Sequence, residues 1–298
     1  MLTIFTMPKP FQGDIKVIQT NAIKSWLLLR PKCEVILIGD EEGTAEIASE
    51  LGVCHIPEVE RNEYGTPLVN SMFDTAQEAA SNKIMCYVNA DIILMSDFLS
   101  AVQSIHKYPF LMVGQRWDVD VKAPVDFSHS DWEAQLHAQL TKEGKLHSPR
   151  GIDYFVFPRG MYDDIPPFAL GRTAWDNWLV YRARSLRITV IDATQVVTIV
   201  HQNHEYAHHP GGKTGAFKGP EAERNRKLLG GMEYSFCTKH ANWLLTPKGI
   251  RRAMTLRHIY TALNAVPALV PALHFLWIPK RIYITFIETM RSMFGGVR

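Results

Sequence analysis

The strongest constraint on the fold is the stretch Lys83–Leu94, KIMCYVNADIIL, in which Asn89-Ala90-Asp91 interrupts an apolar run. Five of the six residues from Ile84 to Asn89 are apolar, as in a β-strand that is buried on both faces. Residues two apart on an extended chain point the same way, so Asn89 and Asp91 project together from the strand end. Oxygen ligands placed there can hold a divalent metal against the phosphates of a nucleotide. Asp91 could equally cap a turn or start the next helix, and the tripeptide alone fits both interpretations.

Strand and helix signals alternate through the first hundred residues. Strands are predicted at Leu2–Met7, Glu34–Gly39 and Val53–Val59 and from Ile84, and helices at Ile15–Leu29, at Thr44–Leu51 and from Gly65-Thr66-Pro67 to Ala80. Strands separated by helices of this length predict a parallel sheet with right-handed crossovers, in which ligands bind at the carboxyl ends of the strands. We therefore expect Thr6, Asp40 and Asp91 at one edge of the sheet.

Composition and absent motifs exclude several classes of protein. A net charge of +2 over 298 residues argues against a general nucleic-acid binder. No GxGxxG follows the first strand, and neither GxxxxGK[ST] nor GxSxG occurs, so a nucleotide site would depend on a metal and on strand-end contacts. The four cysteines are scattered, which indicates free thiols in a reducing compartment. Because the N-terminus lacks the basic region of a secretory signal, we expect a cytoplasmic protein.

The second half contains further strands and one helix with a distinctive start. The strands are predicted at Phe110–Gly114, Gly151–Phe157, Ile188–Asp192 and Gln195–Val200. The helix begins near Thr173 and carries Asp176 in its first turn, between two tryptophans. Thr173 and Asp176 fit a capping box, and the helix dipole favours an acid there. The same position could instead direct a carboxylate at an acceptor hydroxyl.

A histidine cluster follows the last of these strands. His204-Glu205-Tyr206-Ala207-His208 matches HExxH, in which two histidines on one helix face bind zinc. The preceding residues QVVTIV favour a strand, however, and Pro210-Gly211-Gly212 would stop a helix directly afterwards. We therefore favour a single metal ligand at the strand end beside Asp91, and His201 is the best placed.

The order of these parts resembles that of the GT-A glycosyltransferases. Asn89-Ala90-Asp91 stands in the position of the DxD motif, Trp175-Asp176-Asn177 in that of the xED motif, and the following strand ends in a histidine. The resemblance covers about residues 1–247, and the segments YVNADIIL, RGIDYFVFPRG, GRTAWDNWL and VHQNHEYAHHPGG are similar to those of bacterial nucleotide-sugar transferases. It implies a Rossmann-like α/β domain at residues 1–247 with a mixed, mainly parallel sheet flanked by helices. Beyond the resemblance, we expect a C-terminal helical segment at residues 248–298.

The resemblance also implies roles for individual residues. Asp91 and His201 would bind Mn²⁺ or Mg²⁺ with the diphosphate of a nucleotide-sugar donor, and Asp176 would be the base in an inverting transfer of one sugar. Asn89 departs from the family, which usually has Asp there, so the metal site could be weak or Asn89 could contact the ribose. The remaining assignments are, for the donor, Thr6, Pro8, Asp40, Arg150 and Lys213, and, for the acceptor, Asp153 and Trp175.

Two other functions remain open. One is a zinc-dependent hydrolase that uses His204, Glu205 and His208, and the other is a catalytically inactive sugar-binding relative. In the transferase interpretation the acceptor is a glycan or is linked to a lipid.

The C-terminal segment raises the question of a membrane. From Lys248 onward the chain has eight Lys or Arg and one Glu, so this part carries +7 and the remainder −5. Residues 259–278 contain no charged side chain but include Pro267 and Pro271, which interrupt a spanning helix. The segment could pack as two helices on the preceding domain. We favour a peripheral contact of residues 251–281 with the inner face of the membrane, where basic flanks meet anionic headgroups.

Overall fold

The computed structural model describes residues 1–121, 123–204 and 217–276. The chain divides into two compact units, Met1–Ala253 and Met254–Arg298. Within the described ranges, no helix is both long and apolar enough to cross a membrane.

The first unit is built around a sheet of nine strands. These are β1 (Leu2–Thr6), β2 (Glu34–Ile38), β3 (Cys54–Ile56), β4 (Ile84–Val88), β6 (Phe110–Val113), β9 (Tyr154–Pro158), β10 (Thr189–Asp192), β12 (Trp243–Thr246) and β13 (Gly249–Arg252). In the sheet they follow the order β13-β12-β10-β6-β9-β4-β1-β2-β3. Strands β9 and β13 run antiparallel to their neighbours, whereas the other pairings are parallel. The sheet is therefore mixed and mainly parallel, as the sequence predicts.

The described residues of this unit include seven α-helices. They are α1 (Gly13–Leu28), α2 (Thr44–Leu51), α3 (Val69–Ala79), α4 (Ser96–Gln103), α5 (Trp132–Glu143), α6 (Trp175–Ser185) and α7 (Pro220–Leu229), and short 3₁₀ turns occur at Met232–Tyr234 and Thr238–His240. Helix α2 ends at Gly52, whose left-handed conformation (φ 63°) glycine adopts at little cost.

A second sheet of four strands consists of β5 (Ile92–Leu94), β7 (Trp117–Val119), β8 (Lys145–Leu146) and β11 (Ile199–Gln202), in the order β5-β11-β7-β8. The chain leaves β4 in the large sheet at Val88 and enters β5 at Ile92. Asn89 and Asp91 therefore lie where the two sheets meet. The turn is closed by hydrogen bonds from Ile92 N to Asn89 O (3.1 Å) and from Asn89 N to Asp153 O (2.9 Å).

Apolar side chains on both faces of the central strands form the core. All five residues of β1 are buried, as expected for a strand covered by helices on both sides. Phe73 of α3 packs against Phe5 (ring centroids 5.1 Å apart) and against Phe157 of β9 (5.6 Å). Trp26 of α1 is fully buried, and its Nε1 donates to Ile92 O at 2.9 Å. The core thus holds in place the strand that follows Asp91.

Two local predictions from the sequence are wrong. Residues 195–198 are not part of a strand, because Val196 N and Val197 N donate to Ala193 O in a turn, and the strand is Ile199–Gln202. The capping box is absent as well, since Ala174 occupies the N-cap of α6 at φ 90° and offers no capping side chain. Both errors arise because tertiary contacts set the ends of these elements.

The second unit contains α8 (Leu256–Leu269) and a 3₁₀ helix at Pro271–Leu276, which pack against each other. Thr255 caps α8 by accepting a hydrogen bond from His258 N. Pro267 lies inside the last turn of α8, which ends at Leu269.

Candidate metal and base site

Three side chains that the sheets bring together form a candidate metal centre. His204 Nε2 lies 3.0 Å and His201 Nε2 lies 3.6 Å from Asp91 Oδ2. One ligand atom from each of Asp91, His201 and His204 can be chosen so that all lie within 4.8 Å of one another. One carboxylate and two imidazoles in this arrangement are a donor set for a divalent transition metal.

Strand pairing explains how distant residues reach this point. His201 on β11 pairs with Ile92 of β5 on one side and with Asp118 of β7 on the other. Directly opposed residues in neighbouring strands place their side chains close together. His201 Nδ1 accordingly lies 3.2 Å from Asp118 Oδ1. A carboxylate behind the imidazole favours the tautomer with the proton on Nδ1, which leaves Nε2 directed at Asp91 and able to bind a metal.

Further charged groups hold Asp118 in position. Its Oδ2 lies 2.6 Å from His147 Nδ1, and its Oδ1 accepts a hydrogen bond from Arg116 Nε at 2.8 Å. Arg116 also donates through Nη1 to Asp153 Oδ1 at 2.6 Å. The network thus links the histidine ligand to Asp153, and charge pairing keeps each carboxylate in one place.

The pKa values of the site reflect this mixture of charges. Burial would raise the pKa of Asp91, but His201, His204 and Lys9 hold it below its ordinary value. Burial would lower the pKa of His201, but the Asp91 and Asp118 carboxylates raise it. Asp91 is therefore ionised at neutral pH, which is the state that a metal ligand needs.

The Asn89 side chain, predicted as a donor contact, is hydrogen-bonded within the protein. Its Oδ1 accepts a hydrogen bond from Tyr87 Oη (2.8 Å), and its Nδ2 donates to Asp153 Oδ1 (2.7 Å). Both ends of the amide are thus engaged within the protein, where they tie β4 to β9.

Unpaired oxygens beside this network are available for a ligand. Asp91 Oδ1 and Asp153 Oδ2 are buried and have no hydrogen-bond partner among the described residues. A buried carboxylate oxygen without a partner is costly, and a bound cation would satisfy it. The residues present therefore fit a divalent metal at Asp91, His201 and His204.

Asp176 lies in the first turn of α6, where the charges of Asp153 and Arg116 act on its carboxyl group. The Trp175 ring contacts the Tyr87 ring edge-on, with centroids 5.3 Å apart. Burial, reinforced by the charge of Asp153 and opposed by the backbone N–H of Asn177, raises the pKa of Asp176 to about 7. A carboxyl group with this pKa can exchange a proton near neutral pH, as a general base must.

The other residues expected at the donor side are distributed along the sheet edge. Thr6 and Pro8 are buried, and the Thr6 hydroxyl has no hydrogen-bond partner in the described part of the chain. Asp40 is exposed and ion-paired with Arg61, whose hydrogen bond lowers the pKa of Asp40. A groove of about 600 Å³ adjoins this pair and is lined by Asp40, Pro57, Glu58, Val59, Glu60, Arg61, Ser71 and Thr75.

The remaining predicted residues divide into two groups. Arg150 is exposed, and its carbonyl accepts a hydrogen bond from Asn177 Nδ2 at 3.2 Å, which places it beside the start of α6. Lys213 lies outside the described residues, as do Glu205 and His208 of the HExxH match. Only His204 of that match is described, and it joins Asp91 and His201.

Lys9 and His204 are site residues whose present roles the sequence interpretation did not identify. Lys9 Nζ lies 3.5 Å from His204 Nε2. The buried Gln19 side chain holds the Lys9 backbone at both ends, accepting from Lys9 N (2.6 Å) and donating to Lys9 O (2.8 Å). The His201-x-x-His204 spacing was the available signal for the second histidine. Lys9 carries no signal, since a lone lysine after a strand is usually a surface residue.

Comparison with known proteins adds information on the fold. No family model matches the sequence, and no curated protein matches it significantly. Among solved structures, the chain is similar to the 1–349 fragment of S. aureus TarS in complex with UDP-GlcNAc, with 15% identity and a TM-score of 0.50. The match covers 76% of this chain and 64% of the TarS fragment. This likeness confirms the GT-A fold that the sequence resemblance implied.

Two further structures match with lower TM-scores. Glucosyl-3-phosphoglycerate synthase from Mycobacterium tuberculosis, in complex with Mg²⁺ and UDP, has 12% identity and a TM-score of 0.46, with 79% of each chain covered. GalNAc-T7 with UDP, GalNAc and Mn²⁺ has 13% identity and a TM-score of 0.49, with 77% of this chain and 48% of that chain covered.

Proposed function

We propose that this chain is a glycosyltransferase that moves one sugar from a nucleotide-sugar donor to an acceptor hydroxyl, with Mn²⁺ or Mg²⁺ as cofactor. The observation that carries the proposal is the cluster of Asp91, His201 and His204, which Asp118 and Arg116 link to Asp153, together with Asp176, a carboxyl group whose pKa burial and the charge of Asp153 raise to about 7. A metal-binding cluster and a general base supply the two functions that displacement of a diphosphate from an anomeric carbon needs.

Asp91, His201 and His204 would hold the metal in this proposal. Once bound, a divalent cation offsets the negative charge that develops on the departing diphosphate. Lys9 would help to offset the same negative charge on the diphosphate, since its ammonium lies beside His204. Asp118 orients His201, so the ligand set does not have to reorganise when the donor binds.

Asp176 is the proposed base. Its carboxylate would accept the proton of the acceptor hydroxyl while the oxygen attacks the anomeric carbon, and a single direct displacement inverts the configuration there. Asp153 and Trp175 would bind the acceptor, the first through its unpaired Oδ2 and the second through its ring. Retention would require a covalent intermediate on a second carboxylate.

The donor would lie along the edge that carries Thr6, Pro8 and Asp40. The groove beside Asp40 has the size and polarity for a nucleoside, and Arg150 and Lys213 would contribute positive charge to the diphosphate. Asn89 would act indirectly, by positioning Asp153.

A ligand screen tests this function. We expect a nucleotide sugar to raise the unfolding temperature more in the presence of Mn²⁺ than in its absence, because a ligand that binds only the folded state stabilises it. UDP-sugars come first in the panel, since the TarS fragment was solved with UDP-GlcNAc. Release of nucleoside diphosphate from the stabilising sugar nucleotide then separates an enzyme from a sugar-binding protein. Bound zinc together with no response to any nucleotide sugar would favour the hydrolase instead.

We further propose that the second unit makes a peripheral contact with the membrane, which would suit a lipid-linked acceptor. One face of α8 exposes large apolar side chains, with Leu256 at 87%, Tyr260 at 70% and Leu263 at 66% exposure. Arg251 and Arg252 shortly precede the helix in the chain, and both are exposed. An apolar face with basic flanks is typical of helices that lie in the interface of an anionic bilayer.

A further inference from the structure

We propose that the far end of α6 and the turn at residues 237–240 form a binding site for an anionic group of the acceptor, a phosphate or a carboxylate. The site consists of Arg184, Lys239 and His240, and Arg150 lies at its border. The identification of the ligand as an acceptor rests on the proposed glycosyl transfer. The geometry of the site does not depend on that function.

One face of α6 assembles the site. Asn177, Tyr181 and Arg184 are spaced four and three residues apart, so they lie along the same side of the helix. Asn177 donates to Arg150 O at 3.2 Å and accepts from Ser235 Oγ at 3.3 Å. One turn further along, the Tyr181 ring packs on Phe236 with centroids 5.5 Å apart.

The turn that carries Lys239 and His240 folds back on the same elements. The His240 ring stacks on the Phe236 ring, with centroids 4.2 Å apart and an interplanar angle of 18°. Thr238 N donates to Pro149 O at 3.2 Å, which holds this turn beside Arg150. Contacts with α6, with Phe236 and with Pro149 thus bring the side chains at 150, 184, 239 and 240 to one region.

These basic groups lack the counter-charges that basic residues usually have. No carboxylate in the described ranges lies within ion-pairing distance of Arg150, Arg184 or Lys239. Arg184 is half-buried, and burial lowers its pKa. A guanidinium removed from water without an acid partner is costly, and arginine is the side chain best suited to bind phosphate or carboxylate through two hydrogen bonds.

His240 adds a neutral donor to this positive surface. Its Nδ1 accepts a hydrogen bond from Cys237 N at 3.0 Å, so the neutral ring carries its proton on Nε2. Burial, together with Arg184, Arg150 and Lys239, lowers the pKa of His240 to about 4. The imidazole therefore stays neutral near pH 7, and Nε2–H remains available to donate to an anion.

The position of the cluster identifies which substrate would carry the anion. Asp176 and Arg184 lie eight residues apart on α6, a separation of roughly 12 Å along the helix axis. Asp176 is the group that would take the proton from the acceptor hydroxyl. An acceptor that spans both points thus bears its negative group several bonds away from the reacting oxygen.

Binding of a simple phosphate ester by the full-length protein tests the inference. Glycerol 3-phosphate is titrated by calorimetry into wild type, Arg184→Gln and Lys239→Gln in the presence of UDP and Mn²⁺. Arg182→Gln is the matched control, because Arg182 lies on the same helix, carries the same charge and is paired with Asp164. We expect each of the first two variants to weaken binding at least about tenfold, the scale of one lost charged hydrogen bond, and Arg182→Gln to leave binding unchanged.

A second arm identifies the source of the anion. Co-sedimentation with vesicles of phosphatidylglycerol and phosphatidylcholine is compared for the same variants. If vesicle binding requires Arg184 and Lys239, the acceptor is linked to a lipid. If only the binding of glycerol 3-phosphate requires them, the acceptor is soluble.

The outcomes separate this inference from the proposed function. Equal losses in Arg184→Gln and Arg182→Gln, or no binding of either anion by wild type, overturn the anion site. Either result would reject the site even if the protein still hydrolysed a nucleotide sugar with Mn²⁺. Unfolding temperatures identify any variant that has lost its fold, in which case Arg184→Lys replaces Arg184→Gln and should retain partial binding.

Discussion

Asp91 depends on its place in the fold for its chemistry. The carboxylate lies between two histidines and near a lysine, and these groups keep its pKa below the ordinary range. Among the described residues, Asp91, His201 and His204 form the cluster that could hold a metal ion. Loss of the Asp91 charge should therefore weaken metal binding while leaving the fold intact.

We predict that Asp91→Asn weakens Mn²⁺ binding by at least about a hundredfold, since even residues behind a ligand alter affinity by 10 to 100-fold. Calorimetry or electron paramagnetic resonance of free Mn²⁺ measures the change. Asp120→Asn is the control, because it removes the same charge from an exposed residue. Unchanged Mn²⁺ affinity in Asp91→Asn would reject the metal centre.

We predict that Asp176→Asn lowers the activity of the protein but raises its stability. As a base it must be ionised, so turnover should rise with pH through about 7 and fall at least about a hundredfold in Asp176→Asn. Its pKa is raised from the ordinary 3.8, so its contribution to stability is greatest below about 4 and declines as pH rises to about 7. The asparagine variant does not titrate and should gain stability over wild type across that interval.

Thermal unfolding of wild type and Asp176→Asn at pH 4 and pH 8 measures this difference. The gain at pH 8 is at most about 4 kcal/mol, because one pKa unit corresponds to about 1.4 kcal/mol. A variant that is less stable at pH 8 yet nearly fully active would show that Asp176 serves the helix end and not the reaction.

Lys9 offers a test of charge at the metal centre. Its ammonium lies near His204 and Asp91, where it opposes a bound dication but attracts a diphosphate. We predict that Lys9→Met binds Mn²⁺ roughly tenfold more tightly in the absence of nucleotide, a change of about 1.4 kcal/mol. In the presence of UDP and Mn²⁺, the same variant should bind the nucleotide more weakly. Equal effects of Lys9→Met and the surface control Lys16→Met would contradict this role.

At the scale of secondary-structure elements, α8 combines two kinds of apolar face. Ala265 and Ala268 are buried, whereas Leu256, Tyr260 and Leu263 are exposed on the other side. Helices in water usually expose polar residues, so a second apolar face indicates a contact that the described residues do not provide.

We predict that the double substitution Leu256→Ser and Leu263→Ser reduces binding to anionic vesicles at least tenfold, on the scale of about 25 cal/mol per Å² of apolar surface. Co-sedimentation measures the effect, and Ala262→Ser, a small exposed position, is the control. Vesicle binding that survives the double substitution would indicate that α8 packs against protein.

At the scale of the whole molecule, the site should make stability depend on pH and metal together. The depressed pKa values of Asp91 and Asp118 give stability that is present above about 4 and lost in acid. The raised pKa of His201 gives stability that is present below 6.5 and lost as pH rises past its folded-state pKa. We predict that the metal-free protein is most stable between these limits.

Mn²⁺ should move that optimum to higher pH, because histidine binds metal only in its neutral form. Calorimetric unfolding between pH 4 and pH 9, with and without Mn²⁺, tests the shift. An optimum that does not move with metal would show that His201 and His204 do not bind it.

Sequence periodicity determined the alternation of strands and helices and the strand end that carries Asp91. A strand that is buried on both faces must be apolar throughout. The polar residues that directly follow such a strand in the sequence therefore mark its carboxyl end. The histidine cluster after a predicted strand already favoured His201 as a ligand beside Asp91, and the resemblance to GT-A transferases gave it the same role. Asp91, His201 and Asp176 were therefore predictable as single positions, whereas the role of His204 was not.

The tertiary structure alone decided how these positions combine. The small second sheet pairs β11 with β5 and β7, and this pairing sets Asp118 behind His201. The tertiary structure also directs the Asn89 side chain to Tyr87 and Asp153. It places Lys9 next to His204, although the two residues are 195 positions apart in the sequence. Periodicity reports burial within one element, whereas strand pairing and the packing of loops depend on partners far away in the chain, so no local pattern carries that information.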